Sequence, residues 1–176
     1  IGARERMFSK SIYIEEKDFQ ENPEDGFFRL SLGEEVRLKN AYIIKAVDLI
    51  KDEKGGITEI LCEYDKKSKS GTNTEESNRK VKSTIHWVSA TDAVKATINV
   101  YDRLFKVPEP GKEDDISKEI NNKSLEIKEA LIEPYLAESL EGDKFQFQRL
   151  GYFVRTDKKK TLEFNKTVGL RDSWKK

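Results

Sequence analysis

The stretch Lys80-Val-Lys-Ser-Thr-Ile-His-Trp-Val-Ser-Ala90 reads as a strand carrying two basic residues, Lys80 and Lys82, and ending at His86-Trp87, where the chain turns. Working outward, the same style recurs as short strands separated by turn signals. Upstream, Val36-Arg-Leu-Lys-Asn-Ala-Tyr-Ile-Ile-Lys45 opens with alternation. Val36 and Leu38 fall on one face, Arg37 and Lys39 on the other. Ala46 to Ile50 continues as extended chain. Asp52-Glu-Lys-Gly-Gly56 then turns and Ile57 to Tyr64 returns, which predicts a hairpin. Lys66 to Arg79 is polar, rich in Ser, Lys and Glu, and reads as a long mobile loop leading into the opening stretch.

Nearer the start, Ser11-Ile-Tyr-Ile-Glu15 is a short β run, followed by one helical turn over Glu16–Phe19. Asn22-Pro-Glu-Asp-Gly26 is a loop, and Phe27-Phe-Arg-Leu-Ser-Leu32 is apolar with Arg29 embedded in it. Downstream, strands are expected over Val94 to Phe105, Ser124 to Ile132 and Asp143 to Arg149, then Gly151 to Arg155 and Leu162 to Leu170. Val107-Pro-Glu-Pro-Gly111 cannot continue a sheet interior. Short helices suit Asp114 to Ile120 and Pro134 to Leu140, and Asp157-Lys-Lys-Lys160 is a charged turn. Many short strands with turns between them predict an all-β architecture of barrels or sandwiches with a few short helices.

The chain can bury a core, since 36% of its residues are hydrophobic, with nine Phe, six Tyr and two Trp. Lys+Arg and Asp+Glu are both 33, so the net charge is zero and does not by itself suggest a nucleic acid. A binder of nucleic acid needs a basic patch, not a basic total. Cys62 is the only cysteine, which excludes an intrachain disulfide and a cysteine-rich zinc site and suits a reducing compartment. No apolar run approaches the roughly 20 residues that span a bilayer. No signal-peptide pattern opens the sequence, and Ile1 in place of an initiator methionine points to a piece of a longer protein.

An enzyme reading of the residues is weak. His86 is the only histidine, so no histidine pair can hold a metal or relay a proton, and beside Trp87 it suits a structural role. Gly55-Gly56 belongs to a hairpin turn rather than to a phosphate-cradling loop. The nucleic-acid reading has more substance. Unpaired bases are recognised by stacking and by hydrogen bonds to their edges. In Phe145-Gln-Phe-Gln-Arg149 the aromatics point inward, so Gln146 and Gln148 face outward, and an amide can both donate and accept. Arg149 shares the phenylalanine face by alternation, so a bend is needed to present it. Alternation by itself favours a solvated outer face over a base reader here, as it does for the Arg37/Lys39 stripe. Arg29, among Phe28, Leu30 and Leu32, needs a partner: an internal carboxylate or a ligand.

A family resemblance joins these pieces. Phe8-Ser-Lys-Ser-Ile-Tyr-Ile-Glu15, Arg29-Leu-Ser-Leu-Gly33, Val36 to Tyr42, Lys80 to Ala90, Tyr101-Asp-Arg-Leu-Phe105, Phe145 to Phe153 and Phe164 to Trp174 occur in one order and spacing. The whole chain so resembles the C-terminal, anticodon-binding region of the glutaminyl-tRNA synthetase family. The resemblance implies two tandem, strand-exchanging ribosomal-protein L25-like β-barrels. The first would occupy residues 1–88 and the second 89–176, with the C-terminal strand packing back towards the first. It implies a tRNA anticodon-binding role in which Gln146 and Arg149 match readers of the middle base and Arg29 a reader of the third. Arg37 and, less exactly, Lys39 match basic contacts around the first; Lys lacks the planar fork of Arg. Arg171 and Trp174 would pack against the rest of the polypeptide. The implied partners are tRNA for glutamine and a catalytic domain on the same chain, in a cytoplasmic monomer. The implied reaction is ATP- and magnesium-dependent attachment of glutamine, with no catalytic residue, metal site or cofactor in this stretch. A ribosomal-RNA-binding barrel protein, the equivalent region of a glutamyl-tRNA synthetase, and a protein-interaction module are the alternatives.

Overall fold

Over Glu35–Leu38 and Lys144–Phe147 alternation is converted into inward and outward faces. In the computed structural model, which describes residues 5–112, 115–156 and 161–170, the chain is all-β with short helical turns. Two compact units are present, Arg6–Thr91 and the described residues of Ile1–Glu5 together with Asp92–Lys176.

The first unit begins with β1 (Ile12–Ile14) and a single 3-10 turn at Glu16–Asp18. Strand β2 (Glu35–Leu38) puts Val36 and Leu38 wholly into the core, as its alternation predicts. The expected continuation through Lys39 is broken. Ala41 N–H donates to the Leu38 carbonyl at 2.9 Å, and Asn40 sits at φ 58, a left-handed position that Asn tolerates. The chain reverses there into β3 (Ile43–Lys51), antiparallel to β2. β4 (Ile57–Asp65) completes the expected hairpin with β3. Its turn is held by the Asp52 carboxylate, which accepts from Lys54 N–H at 2.9 Å and Gly56 N–H at 2.7 Å.

Residues 66–79 are a folded connection, not the mobile loop that their polarity suggests. They contain a 3-10 turn at Lys66–Ser68 and a one-turn helix α1 (Glu75–Asn78), capped by the Thr74 hydroxyl accepting from Ser77 N–H at 3.1 Å. Ser68 is fully buried and its hydroxyl accepts from Ile43 N–H at 2.8 Å.

The opening stretch of the sequence is two strands rather than one. β5 (Thr84–Ile85) runs parallel to β2 in the sheet β4-β3-β2-β5. Past His86, β6 (Trp87–Ser89) pairs with β1. The chain changes sheets at His86, and Ile85 and Trp87 on either side of it enter the same core with Leu30, Val36, Leu38 and Ile44.

In the second unit β7 (Val94–Tyr101) pairs along its length with β8 (Leu125–Ile132). A 3-10 turn at Pro134–Glu138 leads to β9 (Lys144–Phe147), β10 (Gly151–Thr156) and β11 (Glu163–Val168). The order is β8-β7-β11-β10-β9, with β11 parallel to β7 and every other pair antiparallel. β11 pairs with β7 and β10, both of its own unit. Phe145, Phe147, Phe153 and Phe164 pack together, with Phe147 stacked on Phe153 at 4.3 Å between ring centroids. The expected turn at Asp157 to Lys160 and the residues Arg171 and Trp174 lie outside the described residues.

Candidate nucleic-acid interface

Of the five residues singled out by the sequence, Arg29, Arg37 and Lys39 belong to the first unit and Gln146 and Arg149 to the second.

Arg29 lies beside a short bridge between Phe19 and Leu30 that brings it over the turn at Asp18. Its guanidinium donates to the Asp18 carboxylate at 2.5 Å, and Asp18 is completely buried. The partner demanded by the apolar surroundings is therefore an internal carboxylate. The Arg29 side chain remains 28% accessible and lies 5.8 Å from the Phe28 ring centroid, so the fork is oriented without being enclosed.

Arg37 is half-buried beneath residues 66–79. One terminal nitrogen donates to the Ser68 carbonyl at 2.9 Å and, more weakly, to the Ser70 hydroxyl at 3.3 Å. The other donates to the carbonyls of Ser77 at 2.9 Å and Arg79 at 3.1 Å. Arg37 thus holds the connection down, and the stripe expected from Arg37 and Lys39 is not an open strand face. Lys39 lies past the end of β2, in the turn. Its N–H donates to the Ile85 carbonyl at 2.9 Å, and its carbonyl accepts from the Trp87 indole at 3.1 Å.

A second arginine supports the same segment. Arg79 makes a two-pronged pair with Glu35, one arm at 3.2 Å, and approaches Asp65 at 3.6 Å. The hydrogen bond from Arg79 holds the Glu35 carboxyl below its usual range.

In the second unit Gln146 is exposed on the edge strand β9, directly opposite Tyr152, which is 45% exposed. The bend that Arg149 requires is present. The chain turns at Phe147–Leu150, where Leu150 N–H donates to the Phe147 carbonyl at 2.9 Å, and Arg149 takes φ 68. The next residue must be glycine: Gly151 has φ 139, and a Cβ there would stand 2.5 Å from the Val168 carbonyl oxygen. Gln148 is exposed in the same turn.

Sequence reasoning missed the role of residues 66–79 and an aromatic cluster in the first unit. Phe8 packs on Tyr42, Tyr64 and Trp87 at 4.9, 5.6 and 5.5 Å between centroids. The signal for the first was Thr74-Glu-Glu-Ser77, a helix-capping pattern. No periodicity marks the second, because its members come from four separate segments.

Comparison with known proteins bears on this arrangement. Two models described as tRNA synthetases class I (E and Q), anti-codon binding domain, match residues 1–65 and 84–156. The chain belongs to that family. The connection held by Arg37 falls between the two matched spans. Among its relatives are the glutamine--tRNA ligases of Shigella boydii serotype 4 (strain Sb227) and Escherichia coli O157:H7. Each is 48% identical over 179 aligned residues, which cover 100% of this chain and 32% of the relative. The chain therefore spans about a third of the length of these members of the anticodon-binding synthetase family. Among the described residues no helix is long and apolar enough to cross a membrane.

Proposed function

We propose that this chain is the anticodon-binding part of a cytoplasmic, monomeric glutamine–tRNA ligase and binds the unpaired anticodon of tRNA for glutamine. The catalytic domain of the same polypeptide would then join glutamine to that tRNA at the expense of ATP, with magnesium. The observation that carries the reading is an exposed amide followed, three residues on, by an arginine set in a left-handed turn. Gln146 is exposed on an edge strand, and Arg149 sits half-buried in its turn, which supports a shared role for the two at an unpaired base. The names of the relatives support glutamine over glutamate. In this reading Gln146 and Arg149 address the middle base and Arg29 the third. Arg37 and Lys39 serve the first base, with Arg37 also fixing the segment above it.

The test is binding of an anticodon stem-loop, compared with one altered at the middle base, at two salt concentrations. The expected preference is about 1–3 kcal/mol, the range of a good two-pronged base contact, and it disappears in Gln146→Ala. Equal affinity for both loops in the unaltered protein would refute the assignment of Gln146. Affinity that does not fall with salt would refute nucleic-acid binding through phosphates.

A further inference from the structure

The Phe8–Tyr42–Tyr64–Trp87 cluster begins in the core and ends at the surface. Trp87 is 3% exposed and Tyr42 packs on the core of the first unit, whereas Phe8 is 37% and Tyr64 45% exposed. Tyr42 and Tyr64 meet edge to face at 5.3 Å. The outer rings are thus backed by other rings rather than free to turn. Exposed aromatic rings held on a rigid backing present a preformed face on which a flat group stacks.

The neighbouring segment gives the chemistry of what covers it. Lys66, Lys67 and Lys69 follow Tyr64 after Asp65, whose carboxylate lies 3.6 Å from Arg79, and all three are exposed. None of the three makes an ion pair within the described residues. The segment is pinned next to Tyr42. Ser70 N–H and its hydroxyl donate to the Ala41 carbonyl at 2.9 and 2.8 Å, and Ile43 N–H donates to the Ser68 hydroxyl. Glu63, which would offset the lysines, alternates to the opposite face from Tyr64, and sits across from Lys45. A fixed aromatic platform with exposed, unpaired lysines close behind it in the chain matches single-stranded nucleic acid, whose bases stack and whose phosphates attract cations.

We propose that Phe8 and Tyr64 form a stacking platform for an unpaired RNA base, with Lys66, Lys67 and Lys69 holding its flanking phosphates. The proposal adds a contact surface to the anticodon-binding reading and rests on it only for the identity of the RNA. The platform is sequence-tolerant because every base offers a flat face.

Fluorescence titration of the 176-residue chain tests it. The probes are an anticodon stem-loop of tRNA for glutamine and an unstructured RNA oligonucleotide, each carrying a fluorescent adenine analogue at an unpaired position. Stacking quenches the analogue. Tyr64→Ala is expected to remove the quench and weaken binding roughly ten-fold, while Tyr64→Phe keeps both. Replacing all three lysines by Gln lowers the slope of log affinity against log salt by about 2. Binding without quench, or quench and affinity unchanged in Tyr64→Ala, overturns the platform. Should Tyr64→Ala fail to fold, the lysine variant decides, and an unchanged salt slope overturns the proposal. Tyr64-dependent stacking without discrimination of the middle base overturns the anticodon reading alone. Failure of both RNAs to bind overturns both.

Discussion

Arg37→Met keeps the aliphatic stem of the side chain and removes its donors, which isolates what the guanidinium does for residues 66–79. Two of its bonds, to Ser68 and Ser77, are short and partly buried at 2.9 Å; the others are longer or exposed. A hydrogen bond with a charged partner contributes about 1.5 kcal/mol at the low end of its range, so the two good ones give about 3 kcal/mol. The loss falls on local opening of the segment before it falls on the whole unit, because the segment is polar and packs few apolar groups. Amide hydrogen exchange at Ser70 and Ile43, whose N–H groups bond the Ala41 carbonyl and the Ser68 hydroxyl, is the direct assay. At about 1.4 kcal/mol per factor of ten, exchange there should accelerate on the order of a hundred-fold. The β3–β4 amides between Ala46 and Leu61 should change far less. Exchange at Ser70 and Ile43 within roughly two-fold of the parent chain would refute the account of how this segment is ordered.

Asp18→Ala leaves the Arg29 charge beside apolar neighbours and should lower unfolding free energy by about 2–3 kcal/mol in urea. The fully buried limit is discounted because Arg29 is 28% accessible. Gly151→Ala places a methyl group against the Val168 carbonyl at a left-handed backbone position, and thermal unfolding should show a loss of at least about 2 kcal/mol. Glu35 has a lowered pKa in the folded chain, so its pair with Arg79 stabilises above the ordinary carboxyl value of 4.5 and fades as pH falls through the depressed folded one. A stability–pH comparison with Glu35→Gln should therefore show a gap of under about 1 kcal/mol near pH 7 that closes in acid.

What the sequence made legible was local and periodic. Val36 and Leu38 against Arg37, and Phe145 and Phe147 against Gln146, are separated by a period of two that only a half-buried strand satisfies, and both separations are present. The need for a partner at Arg29 was legible for a different reason, since a charge among apolar groups must be compensated, and Asp18 does so from 11 residues away. Partner changes were not legible. Nothing in an apolar β run marks the point where its ladder ends, so the turn at Asn40 and the change of sheets at His86 were hidden inside stretches that read as continuous. The order of residues 66–79 was hidden too. Composition registers apolar burial, whereas this segment is held by polar contacts, among them bonds from its own carbonyls to an arginine 31 to 42 residues away.

Arg29 and Arg37 show how two identical side chains are prepared for different work by their neighbours. Asp18 neutralises Arg29 at 2.5 Å yet occupies only part of a fork with five donors. Its long-range attraction for phosphate is cancelled while its directional donors remain, which suits discrimination between base edges. Arg37 is the reverse. Four neutral acceptors engage its donors and none of them cancels its charge. Its positive field persists beneath a segment that carries Lys66, Lys67 and Lys69, where it adds to their attraction for a polyanion. Under the proposed function, specificity and affinity are then separable in this unit. Loss of the Arg29 fork removes a reader while leaving the salt dependence nearly as it was, whereas loss of Arg37 weakens every RNA alike by loosening and discharging the surface that collects phosphates.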